Sequence, residues 1–178
     1  LISAEHREKV AAYVDKAREQ GAKILTGGRA ATSEDTNGQH GTGTTDLGAG
    51  VYYLPTIIDG ATREMDCVHD EAFGPTVTIE TFTTEEEAIA IANDTEYGLA
   101  GAVYTSDAGR AERVARALRH GTIWINDFHP YLPQAEWGGF KQSGNGRELG
   151  PTGLAEYQEH KHVYQNLSPA AWDQFGLQ

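Results

Sequence analysis

Between residues 76 and 126 three apolar runs alternate with two stretches of helical spacing, and this alternation limits the possible folds more than any other feature. The runs are TVTIETF (76–82), GAVYTS (101–106) and TIWIN (122–126). Thr84 followed by Glu87 makes a capping box ahead of EEEAIAIAND, and Gly98 closes the turn after it. Asp107 caps a second helix with Ala111, Val114, Ala115 and Leu118 on one face, ending at His120-Gly121. Strands joined by helices of this length imply right-handed crossovers and parallel pairing. The central runs are apolar on both faces, as a sheet covered on both sides requires. The expected class is α/β, a parallel sheet with flanking helices.

The flanks read more simply. Ser3 caps a helix to about Gln20, with Val10, Val14 and Ala17 at helical spacing and Gly21 as its stop. AKILT (22–26) and VYYLPTIID (51–59) read as strands, the second confined by Pro55 to an edge or an irregular piece. Residues 27–50 lack periodicity and read as a surface loop, with His40 a solvated loop residue. KHVYQNL (161–167) reads as a last strand. A chain of 178 residues suits one domain. It begins LISAEHREK, and its sole methionine is Met65, so it reads as a piece of something longer.

The formal charge of -12 argues against nucleic acid or an anionic membrane as the main partner, since both select basic surfaces. No apolar run approaches the roughly 20 residues needed to span a bilayer. Cys67 is the single cysteine, which rules out an internal disulfide and suits a reducing, cytoplasmic setting.

The segment QAEWGGFKQSGNGRELG (134–150) follows TIWIN, at the carboxyl end of a parallel strand, where open α/β sheets bind ligands. Its Gly144, Gly146 and Gly150 do not make a dinucleotide loop, because the third glycine comes one place late for G-x-G-x-x-G. Trp137, with Phe128 and Tyr131 nearby in sequence, supplies the residue types of an aromatic pocket for a small cationic or apolar ligand. In DEAFGP (70–75), Glu71 and Phe73 share a face when extended. A carboxylate beside a ring can accept ribose hydroxyls while the ring covers a flat heterocycle. On spacing alone, the plainer reading is a solvated Glu71 and a core Phe73.

Taken together, DEAFGP, ANDTEYGLAGAVYTSD, GTIWIN, WGGFKQSGNGRELG and GLAEYQEHKHV resemble the aldehyde dehydrogenase family, in family order over most of residues 1 to 167. HPY (129–131) and QAEWGGFKQSG resemble its betaine-aldehyde branch. The resemblance implies oxidation of an aldehyde, here betaine aldehyde, to a carboxylate through a cysteine thioester with NAD, NADP remaining open. It assigns Glu71 to the nicotinamide ribose, Phe73 to the nicotinamide, Trp137 to the aldehyde and Glu148 to a proton relay. It gives Lys141 and Gly144 to a potassium ion held by backbone oxygens. Asp70 and Ala72 depart from the family's usual second glutamate and branched apolar residue.

The resemblance also divides the chain. Residues 1–158 would be the C-terminal part of a catalytic domain, and 159–178 an oligomerisation strand and tail that joins a homo-oligomer. The family's nucleophile, general-base glutamate, oxyanion-hole asparagine and cofactor loop lie upstream of this region. Cys67 is not in the nucleophile's place, so the chain alone is expected to be inactive. The rival reading is a non-catalytic truncated paralogue that pairs with subunits or binds a ligand.

Overall fold

The computed structural model describes residues 1–35 and 46–167, so His40 and residues 168–178 lie outside the described residues. The chain forms two compact units, Leu1–Ala88 and Ile89–Gln178. The division falls inside a helix.

The first unit is organised by helix α1 (Ala4–Glu19). Ser3 caps it, accepting from the His6 N–H at 3.1 Å, and Gly21 ends it with φ of +104°. Val10, Val14 and Ala17 are all buried, as their spacing requires. Strands β1 (Lys23–Thr26), β2 (Thr56–Asp59) and β3 (Thr76–Ile79) form one sheet in that order. β1 runs antiparallel to β2, and β2 parallel to β3. Of the run 51–59 only the part after Pro55 is strand, because proline cannot donate to a ladder. Ile58 is fully buried at the centre of β2. Thr56 is buried but satisfied, accepting from the Gly28 N–H and donating to the Leu54 carbonyl, both at 2.8 Å. A single-turn helix, α2 (Asp66–His69), precedes the DEAFGP segment.

Helix α3 (Glu85–Asn93) begins at the expected capping box. Thr84 accepts from the Glu87 N–H at 3.1 Å, while the Glu87 carboxylate reaches one residue further back, to the Thr83 N–H at 2.8 Å. The second unit then holds β4 (Tyr97–Gly98), β5 (Ala100–Val103), α4 (Ala108–Ala117), β6 (Thr122–Ile125), β7 (Phe140–Lys141) and α5 (Gly150–Ala155). Asp107 caps α4, accepting from the Arg110 N–H at 2.9 Å. β5 and β6 are parallel in full register, from Ala100 opposite Thr122 to Val103 opposite Ile125, around the crossover helix α4.

The α/β class holds, but the expected single parallel sheet does not form among the described residues. They make one three-stranded mixed sheet and two two-stranded sheets, β5–β6 parallel and β4–β7 antiparallel. An alternating strand–helix pattern fixes the crossovers, not which strands become neighbours, and β3 takes β2. Residues 161–167 are exposed and form no strand, since no described strand pairs with them.

Candidate functional site

The two candidate stretches lie in different units. In the first unit, Glu71 is exposed and makes no hydrogen bond or ion pair with the described residues. Phe73 is 75% exposed and has φ of +50°, a left-handed conformation that costs a non-glycine residue energy. Phe73 is therefore not a core residue, contrary to the reading from spacing. Its ring lines a hollow of about 500 Å³ with Leu1, Tyr52, Tyr53, Gly74 and Pro75. An unpaired carboxylate beside an outward aromatic ring fits a ribose hydroxyl pair joined to a flat heterocycle.

In the second unit, the segment after β6 folds back as a hairpin-like loop. Trp137 and Glu148 exchange both backbone hydrogen bonds at 2.7 Å, so the two candidate side chains sit at opposed positions of one bridge. Gly121, just before β6, lets the loop dock closely. A Cβ there would fall 1.6 Å from the Gly138 carbonyl oxygen. Arg147 holds the loop across its width, donating to the Gly139 and Gly146 carbonyls at 3.2 and 2.5 Å, with its guanidinium 5.3 Å from the Phe140 ring centroid. Trp137, Glu148, Gly144, Arg147 and Glu156 line a hollow of about 350 Å³.

Trp137 belongs to a cluster of five rings. It stacks on Trp124 at 5.9 Å and meets Tyr131 at 4.5 Å between centroids. Phe128 packs edge-on against Trp124 at 5.6 Å, and His129 contacts Tyr131 at 4.8 Å. The Trp124 indole N–H donates to the Pro130 carbonyl at 3.3 Å, which ties the loop to β6. These rings pack on one another, and Phe128 and Tyr131 turn 68% and 47% of their surface outward. Trp137, Phe128 and Tyr131 were expected together. Trp124 and His129 were not: Trp124 belongs to β6, and His129, with φ of +71°, to the loop that follows it.

Lys141 sits in β7 opposite Tyr97 with φ of +54°. Its ammonium donates to the Thr95 and Asn93 carbonyls at 2.8 and 3.3 Å, completing the end of α3, where a cation is favoured. Lys141 and Gly144 can offer only two backbone oxygens of their own. A hard cation takes about six, so a potassium ion here needs further donors. Among the described residues no three His, Cys, Asp or Glu side chains converge as a metal site. Cys67 is buried, and burial pushes its thiol above the ordinary value, the opposite of an activated nucleophile.

The model of the aldehyde dehydrogenase family matches residues 1–163. The chain belongs to the aldehyde dehydrogenase family. It is 55% identical over 175 residues to betaine aldehyde dehydrogenase of Bacillus subtilis (strain 168), covering 98% of this chain and 34% of that protein. It is 42% identical to an aminoaldehyde dehydrogenase of Pisum sativum, covering 97% and 32% respectively. A crystal structure of Staphylococcus aureus betaine aldehyde dehydrogenase in complex with NAD+ superposes with a TM-score of 0.87 at 49% identity, covering 99% of this chain and 33% of that one. The chain thus spans about a third of the length of these relatives. No described helix is long and apolar enough to cross a membrane.

Proposed function

We propose that this chain is the cofactor- and aldehyde-contacting C-terminal part of an NAD-dependent aldehyde dehydrogenase that oxidises betaine aldehyde to its carboxylate. The observation that carries this reading is the pairing of Trp137 with Glu148 across one bridge, beside a hollow also lined by Glu156. An aromatic face and carboxylates around one small space suit a trimethylammonium group, which is attracted by both. The identity of 55% to a bacterial betaine aldehyde dehydrogenase supports the same substrate.

Bound NAD supplies the acceptor for the electron pair removed from the aldehyde. Glu71 binds the ribose next to the nicotinamide, and the outward ring of Phe73 packs against the nicotinamide itself. Trp137 binds the cationic end of the aldehyde, and Glu148 accepts protons released at the site. The nucleophilic cysteine comes from outside this chain, since Cys67 is buried and kept protonated. No step depends on potassium. The exposed segment 161–167, with Val163 and Tyr164 at 77% and 79% exposure, pairs with another subunit in a homo-oligomer.

The test uses the full-length protein with betaine aldehyde and an uncharged aldehyde of similar size, following NADH at 340 nm. A cation over a tryptophan face contributes about 0.5 to 2 kcal/mol. Trp137→Ala therefore raises KM for betaine aldehyde between about twofold and thirtyfold more than for the uncharged aldehyde. Equal weakening of both substrates overturns the cation-binding role. The chain by itself forms no NADH from either aldehyde, and turnover by it would place the nucleophile within these 178 residues.

A further inference from the structure

The segment Glu71–Gly74 hangs between two fixed points. On the far side, the Pro75 carbonyl accepts the Thr56 N–H at 2.8 Å, which seats it on β2. On the near side, Asp70 is held twice. Its N–H donates to the Asp66 carbonyl at 2.8 Å, and its carbonyl accepts from the Tyr13 hydroxyl at 2.7 Å. The Asp70 carbonyl and the Glu71 N–H belong to one planar peptide unit, so fixing the carbonyl fixes the plane from which Glu71 departs.

Tyr13 belongs to one face of α1 that follows this segment along its length. Val10 lies against Gly74, where a Cβ would come within 2.7 Å of a Val10 methyl. Lys16 pairs with the Asp66 carboxylate, and Gln20 donates to the same group at 3.3 Å. Of these contacts only the Tyr13 bond acts on the peptide that leads into Glu71. Desolvation, with the nearby Cys67 and Asp70, pushes the phenol up to about 12, so the hydroxyl keeps its proton and remains a donor across the working range of pH.

We propose that Tyr13 is a positioning residue that orients Glu71 for the dinucleotide by holding the Asp70 carbonyl. The inference rests on the reading that Glu71 and Phe73 contact the cofactor. It assigns to α1, which carries no family motif, a part in cofactor affinity.

The experiment compares Tyr13→Phe, Glu71→Gln, their combination and Lys16→Met in the full-length protein. It measures KM and Kd for NAD+, KM for the aldehyde, and the melting temperature. Tyr13→Phe removes one hydroxyl and nothing else, so NAD+ KM and Kd rise about three- to tenfold, the range one neutral hydrogen bond supports. Aldehyde KM does not change. The combined variant binds NAD+ no more weakly than Glu71→Gln alone, because Tyr13 acts through Glu71. Lys16→Met, which removes the ion pair to Asp66 and leaves the Asp70 carbonyl tied, leaves the NAD+ constants unchanged.

If Glu71→Gln weakens NAD+ and Tyr13→Phe does not, the inference fails and the cofactor reading stands. If Glu71→Gln has no effect on NAD+, the cofactor reading fails and takes the inference with it. Additive losses in the combined variant, or a Lys16→Met effect as large as that of Tyr13→Phe, mean that α1 acts only as general packing, which also overturns the inference.

Discussion

The two compact units are of similar size and both mix short strands with helices, yet nearly all the buried apolar side chains belong to the first. Val10, Val14, Ala17, Tyr53, Ile58, Met65 and Cys67 are among those that pack under the first sheet, while the second unit buries only Ala111 and Trp124 among its described apolar side chains. The first unit therefore presents Glu71 and Phe73 from a packed base. The second presents Trp137 and Glu148 from a loop held by ring stacking, one bridge and the Arg147 clasp. Its sheets have two strands each, the size at which an isolated sheet is marginal. Low burial and exposed backbone ladders mark regions that open locally at small cost.

Truncation of matched strand positions breaks this contrast most directly. Ile58→Ala removes a fully buried side chain from β2 and costs about 2 to 5 kcal/mol. Val103→Ala acts on a half-buried side chain in β5 and costs about 1 kcal/mol. Urea unfolding of the chain followed by far-ultraviolet circular dichroism measures both. Tryptophan emission sharpens the comparison, because all three tryptophans, Trp124, Trp137 and Trp172, belong to the second unit and none to the first. The emission transition is expected at lower urea than the dichroism transition, and coincident transitions would mean that the units unfold as one.

The next effect concerns what replaces a core in the second unit. The Asn93 side chain joins the ends of two helices, donating to the Ala117 carbonyl at 2.9 Å and accepting the Arg119 N–H at 2.7 Å. Lys141 meets the Asn93 carbonyl from β7. Asn93→Ala leaves a carbonyl and an N–H without these partners and costs about 1 to 3 kcal/mol. Amide exchange at 117–119 should accelerate selectively, whereas an equal change along the whole chain would indicate that Asn93 is not a local tie. A cap offers a smaller perturbation. Asp107→Ala lowers stability by less than Asn93→Ala, with the first turn of α4 exchanging faster.

The same contrast explains what could be read from the sequence. Helix α1, the Thr84 and Asp107 caps and the β5–α4–β6 crossover depend on residues close together in the chain, and each appears as expected. Sheet membership depends on partners far away, so the choice of β2 as neighbour of β3 left no local mark. The ring cluster was legible in part, in Trp137, Phe128 and Tyr131, which lie close together in sequence after β6. Trp124 escaped notice because an indole inside an apolar strand looks like core, and here it is both buried and part of the ring cluster. Spacing also misjudged Phe73, since alternation says which residues share a face but not whether anything covers it. Tyr13 carried no signal at all, because its role comes from a carbonyl 57 residues away.

The smallest effect tests the thin packing of the second unit through pH. His120 lies half-buried after α4, and its Nδ1 is buried without a hydrogen-bond partner. Burial disfavours its charged form, and the Lys141 ammonium adds to this, so its pKa falls below the ordinary 6.5. The unfolded chain then binds a proton near pH 6.5 that folded His120 resists. Stability rises with pH wherever the unfolded state holds more protons, so this group's contribution is present above pH 6.5 and is lost as pH falls from there through the lower folded value. His120→Gln keeps the size and polarity and removes the titration. Urea midpoints taken between about pH 7.5 and 5.5 should fall less steeply in His120→Gln than in the parent chain, with the difference confined to the tryptophan signal of the second unit. Identical slopes would show that water reaches His120 freely, and that its buried ring nitrogen does not set the pH response of the second unit.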